Sequence, residues 1–460
     1  MKKTLLITTI LASMAAAPVA YAGGESAEWQ AGYDAAMAEM KSRGGSNKSL
    51  TNSKAPGPLG GIADALRAGN AYSDIRFRYE AVDDDGAAFT SGNAEAATVR
   101  TRLGYKTAVY ENFQGLLELE NVSQLAGIDD HNDGSNGKTT FPTIADPEGT
   151  EINQAWISFA GVPDNVIKAG RQRIVLDNAR FIGDVGWRQN NQTFDGVRLT
   201  DKLLPDTTIN YSYLYNVNRI FGNSAAAGDF NGKINLVNIK YTGLDLANVT
   251  AYWYGIDLNN SAANSSATYG ARIDGKYDVG NGVKALYDLE YALQSDYGNN
   301  TNNYDANYYR VEPGVAWNGL TLKGGYEVLG ADVAGDAGRV FRTPLATGHK
   351  WNGWADKFLT TPKNGLQDIY GSLGYKVGGL NEFIDGTALT FVYHDFSSDE
   401  NSTDYGNEFD FNIAKTFYDN YSLGFKYANY DSDDEAAGIA GIQDDTQKFI
   451  VSVGVKFNQE

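Results

Sequence analysis

Residues 283–294 read VKALYDLEYALQ, and they decide the architecture. Val283, Ala285, Tyr287, Leu289, Tyr291 and Leu293 fall on one face of an extended chain. Lys284, Asp288, Glu290 and Gln294 fall on the other. Successive side chains of a strand point to opposite sides, so this segment is greasy on one side and charged on the other. The same period recurs from residue 71 to the end. Ile75, Phe77 and Tyr79 oppose Asp74, Arg76, Arg78 and Glu80. Val99, Leu103, Tyr105 and Val109 oppose Arg100, Arg102, Gly104 and Lys106. Phe449, Val451, Val453, Val455 and Phe457 oppose Lys448, Ser452, Gly454 and Lys456. A soluble sandwich shows such alternation in a few strands; here it fills the chain.

The rule gives about eighteen strands of roughly 9 to 13 residues, the length of a tilted membrane strand. They start near residues 71, 96, 113, 150, 165, 191, 207, 233, 247, 267, 283, 304, 320, 366, 387, 405, 421 and 446. Alternation is weak near 165 and 191, which leaves sixteen as the competing count. The links supply a second signal. Short ones (110–112, 161–164, 201–206, 243–247, 278–282, 317–319, 419–420, and the longer 377–386) alternate with long ones (83–93, 126–149, 174–190, 220–232, 258–266, 295–303, 331–365, 397–404, 431–445). Outer-membrane barrels have this phase, with short periplasmic turns and longer external loops. The expected fold is therefore all-β: a transmembrane antiparallel β-barrel over 71–460, behind a short helical or linker segment.

The beginning of the chain fits an exported protein. Lys2 and Lys3, an apolar run over 5–17, and Ala20-Tyr21-Ala22 form a signal peptide over 1–22, cleaved after Ala22. In 23–70, Trp29, Tyr33, Met37 and Met40 fall at helical spacing and 46–61 reads as linker; a short helix and a disordered leader are both open. Composition agrees with a barrel: 29 Tyr, 20 Phe and 52 Gly against 10 Pro, since Tyr suits a membrane–water interface. The absence of Cys excludes disulfides and thiolate chemistry.

The formal charge of −19 is carried largely by predicted external loops: Asp83 to Asp85, then Asp129, Asp130 and Asp133, then Asp431, Asp433, Asp434 and Glu435. Cation bridging to an anionic outer leaflet and a plainly solvated surface both account for it, the second more simply. No acidic run follows the calcium-loop pattern, and no metal or cofactor is called for. The predicted lumen face differs. Arg76, Arg78, Arg100, Arg102, Lys106, Arg272, Lys276, Arg310, Lys323, Lys426 and Lys448 point inward, alongside Asp74, Glu80, Glu118, Glu120, Asp274, Asp288, Glu290, Glu312 and Glu327. Charge pairing that braces the barrel is one reading. A positive track for anions along the first two strands is the other.

Two long links are basic and aromatic instead of acidic. Residues 171–191 (RQRIVLDNARFIGDVGWRQNN) carry Arg171, Arg173, Arg180 and Arg188 around Trp187. Residues 341–368 (FRTPLATGHKWNGWADKFLTTPKNGLQD) carry Arg342, His349, Lys350, Trp351 and Trp354. Such loops are expected to fold into the mouth and narrow it, where flat aromatics with Arg suit sugar rings and carboxylates. The tryptophans as girdle or loop-packing residues are the plain alternative.

These residues also carry a family likeness. Residues 169–199 (AGRQRIVLDNARFIGDVGWRQNNQTFDGVRL) with 204–222 (LPDTTINYSYLYNVNRIFG) resemble the alginate-export family of outer-membrane proteins. Residues 341–370 resemble a second signature, that of its porin-like marine branch. The resemblance runs from about residue 71 to 457. It implies an eighteen-stranded barrel in the outer membrane and passive diffusion through an arginine-rich pore, which admits a uronate polymer in the name-giving member. One departure is the C-terminus, Phe457-Asn458-Gln459-Glu460, which lacks the terminal aromatic typical of such barrels.

The expectation is thus a porin for hydrophilic, anionic solutes, with outer-membrane lipid and lipopolysaccharide as surroundings and no nucleic-acid partner. The rivals are an adhesin or structural barrel without an open pore, and an outer-membrane enzyme. His131, His349 and His394 are each isolated from any nucleophile motif, so nothing supports an enzyme.

Overall fold

The computed structural model describes residues 61–86, 89–125 and 127–458. The predicted signal peptide, the helix within 25–42 and most of the linker lie outside the described residues. A one-and-a-half-turn helix α1 (Ile62–Arg67) comes first, held to the barrel's turn end by the Ala108 amide bonding the Ala65 carbonyl at 3.1 Å.

Eighteen strands follow. They are β1 (Asn70–Asp84), β2 (Asn93–Lys106), β3 (Phe113–Gln124), β4 (Gly149–Phe159), β5 (Asn165–Gln172) and β6 (Thr193–Asp201). Next come β7 (Thr207–Asn218), β8 (Asp229–Tyr241), β9 (Asn248–Leu258), β10 (Ser266–Gly280), β11 (Val283–Asp296) and β12 (Asp305–Trp317). The last are β13 (Leu320–Leu329), β14 (Leu366–Lys376), β15 (Ala388–Ser397), β16 (Asp404–Phe417), β17 (Tyr421–Asp431) and β18 (Thr446–Phe457). Each pairs antiparallel with its sequence neighbours, and β18 closes onto β1 with Tyr79 opposite Val451. Closure leaves no unpaired edge, which lipid would not tolerate. The count is eighteen, not sixteen.

The alternation sorts the faces as read. Leu103, Tyr269, Tyr291, Leu322 and Ile369 are exposed on the outer wall, while Arg76, Arg100, Arg272, Arg310 and Glu327 are buried inside. Where the pattern faded, the cause is local. β5 has only 8 residues, and over β6 to β9 the lumen face is itself apolar: Phe194, Leu214, Ile234, Leu236, Tyr252, Tyr254 and Ile256 are buried. They pack against Ile174, Phe181, Ile182, Phe341, Leu345 and Phe358 from the two long basic links. The hydrophobic core therefore sits within the barrel, toward its loop end.

Candidate functional site

Two loops, 173–192 between β5 and β6 and 330–365 between β13 and β14, fold into the lumen and join there. The Gly183 amide bonds the Leu345 carbonyl at 2.8 Å, and the Thr347 amide bonds Ala179 at 3.1 Å. Gln192 donates to both Gly183 (2.8 Å) and Leu345 (3.0 Å). A Cβ on Gly183 would come within 2.2 Å of the Thr347 hydroxyl, so only glycine allows this approach. The backbone is strained as well: Val185, β-branched, sits at φ 51°. Such a conformation persists only where its surroundings fix it.

Side chains then strap the pair to opposite walls. Arg180 donates to Glu327 of β13 (2.8 Å) and to Asn352 (2.9 Å). Asn352 in turn reaches Glu327 (2.6 Å) and Asp368 of β14 (3.0 Å). The Ala355 amide bonds Glu408 of β16 at 2.6 Å, and the Trp354 amide bonds Asp410 at 3.2 Å. Across the lumen, Arg188 bonds Glu80 of β1 at 2.8 Å. Asp356 takes Lys448 of β18 (2.5 Å) and His349 (2.7 Å), and Lys357 reaches Asp84 at 3.2 Å. The result is a constriction built by loops and spanning the barrel.

The predicted residues fall into three groups. The first corrects the open basic track on β1 and β2. Arg76 donates to the Gln189 side chain (2.9 Å) and to the carbonyls of Gly186 (3.1 Å) and Arg188. Arg78 bonds Asp146 (3.3 Å) and the Trp187 carbonyl, Arg100 bonds Asp74 (2.6 Å), and Arg102 bonds Glu120 and Asn191. All four are buried. Buried guanidiniums require compensation, and here Arg76, Arg78 and Arg102 seat loop 173–192 while Arg100 is held by Asp74 of β1. Arg171 is a second correction: it lies in β5, on the same face as the exposed Ile167. Its guanidinium meets Asp195 at 2.8 Å on the outer wall instead of lining the mouth.

The second group builds the constriction. Arg173 bonds Asp184 at 2.6 Å. Trp187 stacks on His349 (3.4 Å) beneath the Arg188 guanidinium (4.0 Å). Trp351 lies under Arg180, Arg310 and Lys350 at 5.3, 5.1 and 5.3 Å, and Trp354 lies under Lys426 at 4.5 Å. The tryptophans are thus neither girdle residues nor bare platforms for a sugar, because the protein's own cations and His349 take their faces. Arg310 is paired with Asp288, and Lys323 with Glu312 at 2.7 Å.

The third group keeps charge available. Lys350 donates to the Asn178 carbonyl at 2.9 Å and is ion-paired with no described residue. Lys106 and Arg198 both act on Lys168 as like charges, and no described carboxylate is ion-paired with Lys106 or Lys168. Arg342 bonds Asn264 at 3.2 Å. Among the described residues no group of His, Asp and Glu is arranged to hold a metal ion.

Sequence reasoning missed the acceptors. Asp146, from a link read as solvated, is fully buried between Arg78 and Arg188. Asn352, Asp356 and Gln189 carry no motif of their own; the signal available was that basic loops entering a lumen must bring counter-charges. His349 gives a testable consequence. Burial drives its pKa well below 6.5, against the pull of Asp356, while Lys426 beside it pushes the same way as burial. A neutral ring is favoured only in the seated loop, so the loop loses stability as pH falls below 6.5. Protease cleavage within 330–365 is expected to accelerate between pH 7 and 5. His349→Gln should flatten that dependence; an unchanged slope would show that other groups set it.

A closed barrel of eighteen antiparallel strands with a charged, loop-narrowed lumen is the architecture of an outer-membrane porin. Three solved structures share it. Pseudomonas aeruginosa OpdQ is 14% identical with a TM-score of 0.63, over 85% of this chain and 99% of that one. Acinetobacter baumannii OccAB2 is 15% identical with a TM-score of 0.64, over 84% and 98%. P. aeruginosa OpdK, described with vanillate, is 12% identical with a TM-score of 0.62, over 84% and 98%. No curated protein sequence matches the chain. The profile of the family described as alginate export matches residues 70–352, and the chain belongs to that family.

Proposed function

We propose that this barrel is a passive outer-membrane channel for hydrophilic anionic solutes, with short uronate oligosaccharides as the candidate class. The carrying observation is the set of cations that face the lumen without an ion-paired carboxylate. Lys350 lies on the constriction, close enough to Arg272, Arg310 and Lys323 to feel them as like charges, with Glu312 pulling the other way. Lys168 stands directly opposite Arg198 across the β5–β6 pair, its ammonium 4.2 Å from the Trp156 ring. Lys168 and Lys350 thus present positive charge to the lumen, which favours a passing anion. Membership of a family described as alginate export supports the uronate class, and the neighbour solved with vanillate supports an acid as cargo. We also read 1–22 as a cleaved export signal and 23–70 as a leader to the barrel.

Single-channel recording in planar bilayers under a KCl gradient tests this. The expected result is a conducting pore whose reversal potential shows anion preference. Replacing Lys106, Lys168 and Lys350 together by Gln should shift that potential toward cations. Absence of conductance would sink the channel in favour of a structural barrel or adhesin. A wild-type preference for cations would overturn the anionic part alone.

A further inference from the structure

Among the described residues most lumen guanidiniums meet a carboxylate, and two on the loop side are ion-paired with none. Arg219, which follows β7, donates only to the Ala227 carbonyl at 3.1 Å. Its guanidinium lies over the rings of Phe221 (5.0 Å) and Phe230 (4.2 Å), which hold the planar group flat. Arg342, on the inserted loop, donates to Asn264 at 3.2 Å and to the Ala337 carbonyl, and its Nε is buried with no hydrogen-bond partner among the described residues. Neither is ion-paired with a described residue.

Both line one chamber of about 480 Å³ at the loop end. That volume lies within the range of small-molecule sites, roughly 300–1,000 Å³. Its other cations are already matched: Arg188 by Glu80, Lys357 by Asp84, and Lys448 by Asp356. The remaining lining carboxylate, Asp444, acts on Lys357. Asp336, ion-paired with Arg339 outside this lining, also acts on Arg342, so the lining cations without an ion-paired carboxylate among the described residues are Arg219 and Arg342. Gln192, Asn264, Thr343, Thr361 and Gln443 supply neutral polar groups around it. Burial pushes the pKa of both guanidiniums down, a cost that an arriving carboxylate would relieve. A guanidinium fork also matches a carboxylate in shape, which an ammonium does not.

We propose that this chamber is a capture site, on the external side of the constriction, for a solute bearing two acidic groups, such as a short acidic oligosaccharide. Arg219 takes one acid group and Arg342 the other, so cargo is selected before it meets the narrowing. The proposal rests on the channel reading for its meaning but not for its measurement.

Calorimetric titration of the detergent-solubilised full chain with trigalacturonate tests it. Wild type is expected to bind trigalacturonate and not the neutral maltotriose. Arg219→Gln and Arg342→Gln should each weaken binding about tenfold or more, the double variant should abolish it, and Arg219→Lys should retain part. Circular dichroism confirms that each variant is folded. Undiminished binding by the folded double variant, or equal binding of maltotriose, would overturn the site. In bilayers, trigalacturonate added on the loop side should interrupt the current in wild type and not in the double variant. Interruption only from the turn side would also overturn it. A pore that conducts anions but shows no arginine-dependent interruption removes the capture site alone. A barrel without conductance removes the channel, and the titration still decides the site.

Discussion

Replacing Asp356 by alanine is expected to raise single-channel conductance several-fold and to make it unsteady. The carboxylate accepts from Lys448 at 2.5 Å and from His349 at 2.7 Å, with Arg188 at 3.7 Å. Lys448 and Arg188 are both buried, and Lys448 has no other ion-paired carboxylate among the described residues. Breaking one side of a buried pair costs about 3–5 kcal/mol, because the remaining charge stays desolvated. At about 1.4 kcal/mol per decade, that moves the balance between seated and released loop by about two to three and a half decades. The backbone here adds strain: Asn352 and Asp356 hold φ of 55° and 64°, a conformation that relaxes once its contacts go. Asp356→Asn keeps an acceptor and should fall between. Planar-bilayer recording reads the outcome, and a wild-type conductance in Asp356→Ala would show that this clamp does not hold the constriction.

The barrel was legible in the sequence because lipid imposes one rule on every strand: the outer wall must be apolar, whatever the lumen holds. Phe77 and Leu289 obey it as plainly as Val451. The rule weakens where a second apolar phase enters, at β6 to β9, because the inserted loops turn that part of the lumen into a packed core. Leu214, Ile234 and Tyr254 face inward and are buried for that reason. The inward course of the two basic loops was also legible, since Arg180, Arg188 and Trp187 on a loop tip make little sense in water. What those residues touch was not. Arg78 finds Asp146 and Arg76 finds Gln189, partners 68 and 113 residues away that no periodicity links. A reading of charge on strands alone therefore leaves the arginines of β1 and β2 looking free, when Arg76, Arg78 and Arg102 are the seat of a loop. Arg219 escaped notice because it borders a strand and belongs to no basic cluster. Its significance lies in having no ion-paired carboxylate among the described residues.

Glu327→Ala should release the same constriction from the opposite wall, with an effect of similar size. Its two oxygens accept from Arg180 (2.8 Å), Tyr308 (2.7 Å) and Asn352 (2.6 Å), and Arg180 is 3% exposed. Alanine would strand a buried guanidinium and two further donors, again costing about 3–5 kcal/mol. Glu327→Gln keeps one acceptor for Arg180 while turning an amide donor toward Asn352 or Tyr308, so it should recover only part of the loss. The informative measurement is the double variant with Asp356→Ala. If loops 173–192 and 330–365 move as one body, either single change already unseats it. The second change then adds little, and conductance in the double variant should match the larger single effect. Additive increases would mean that the two walls hold the loops independently. The joined backbones at Gly183–Leu345 and Ala179–Thr347 favour the single body, because neither loop can leave without breaking bonds to the other. On that geometry the pore has two conductance levels and not a graded series, and idealised current histograms of Glu327→Ala should show both, with the larger one dominant.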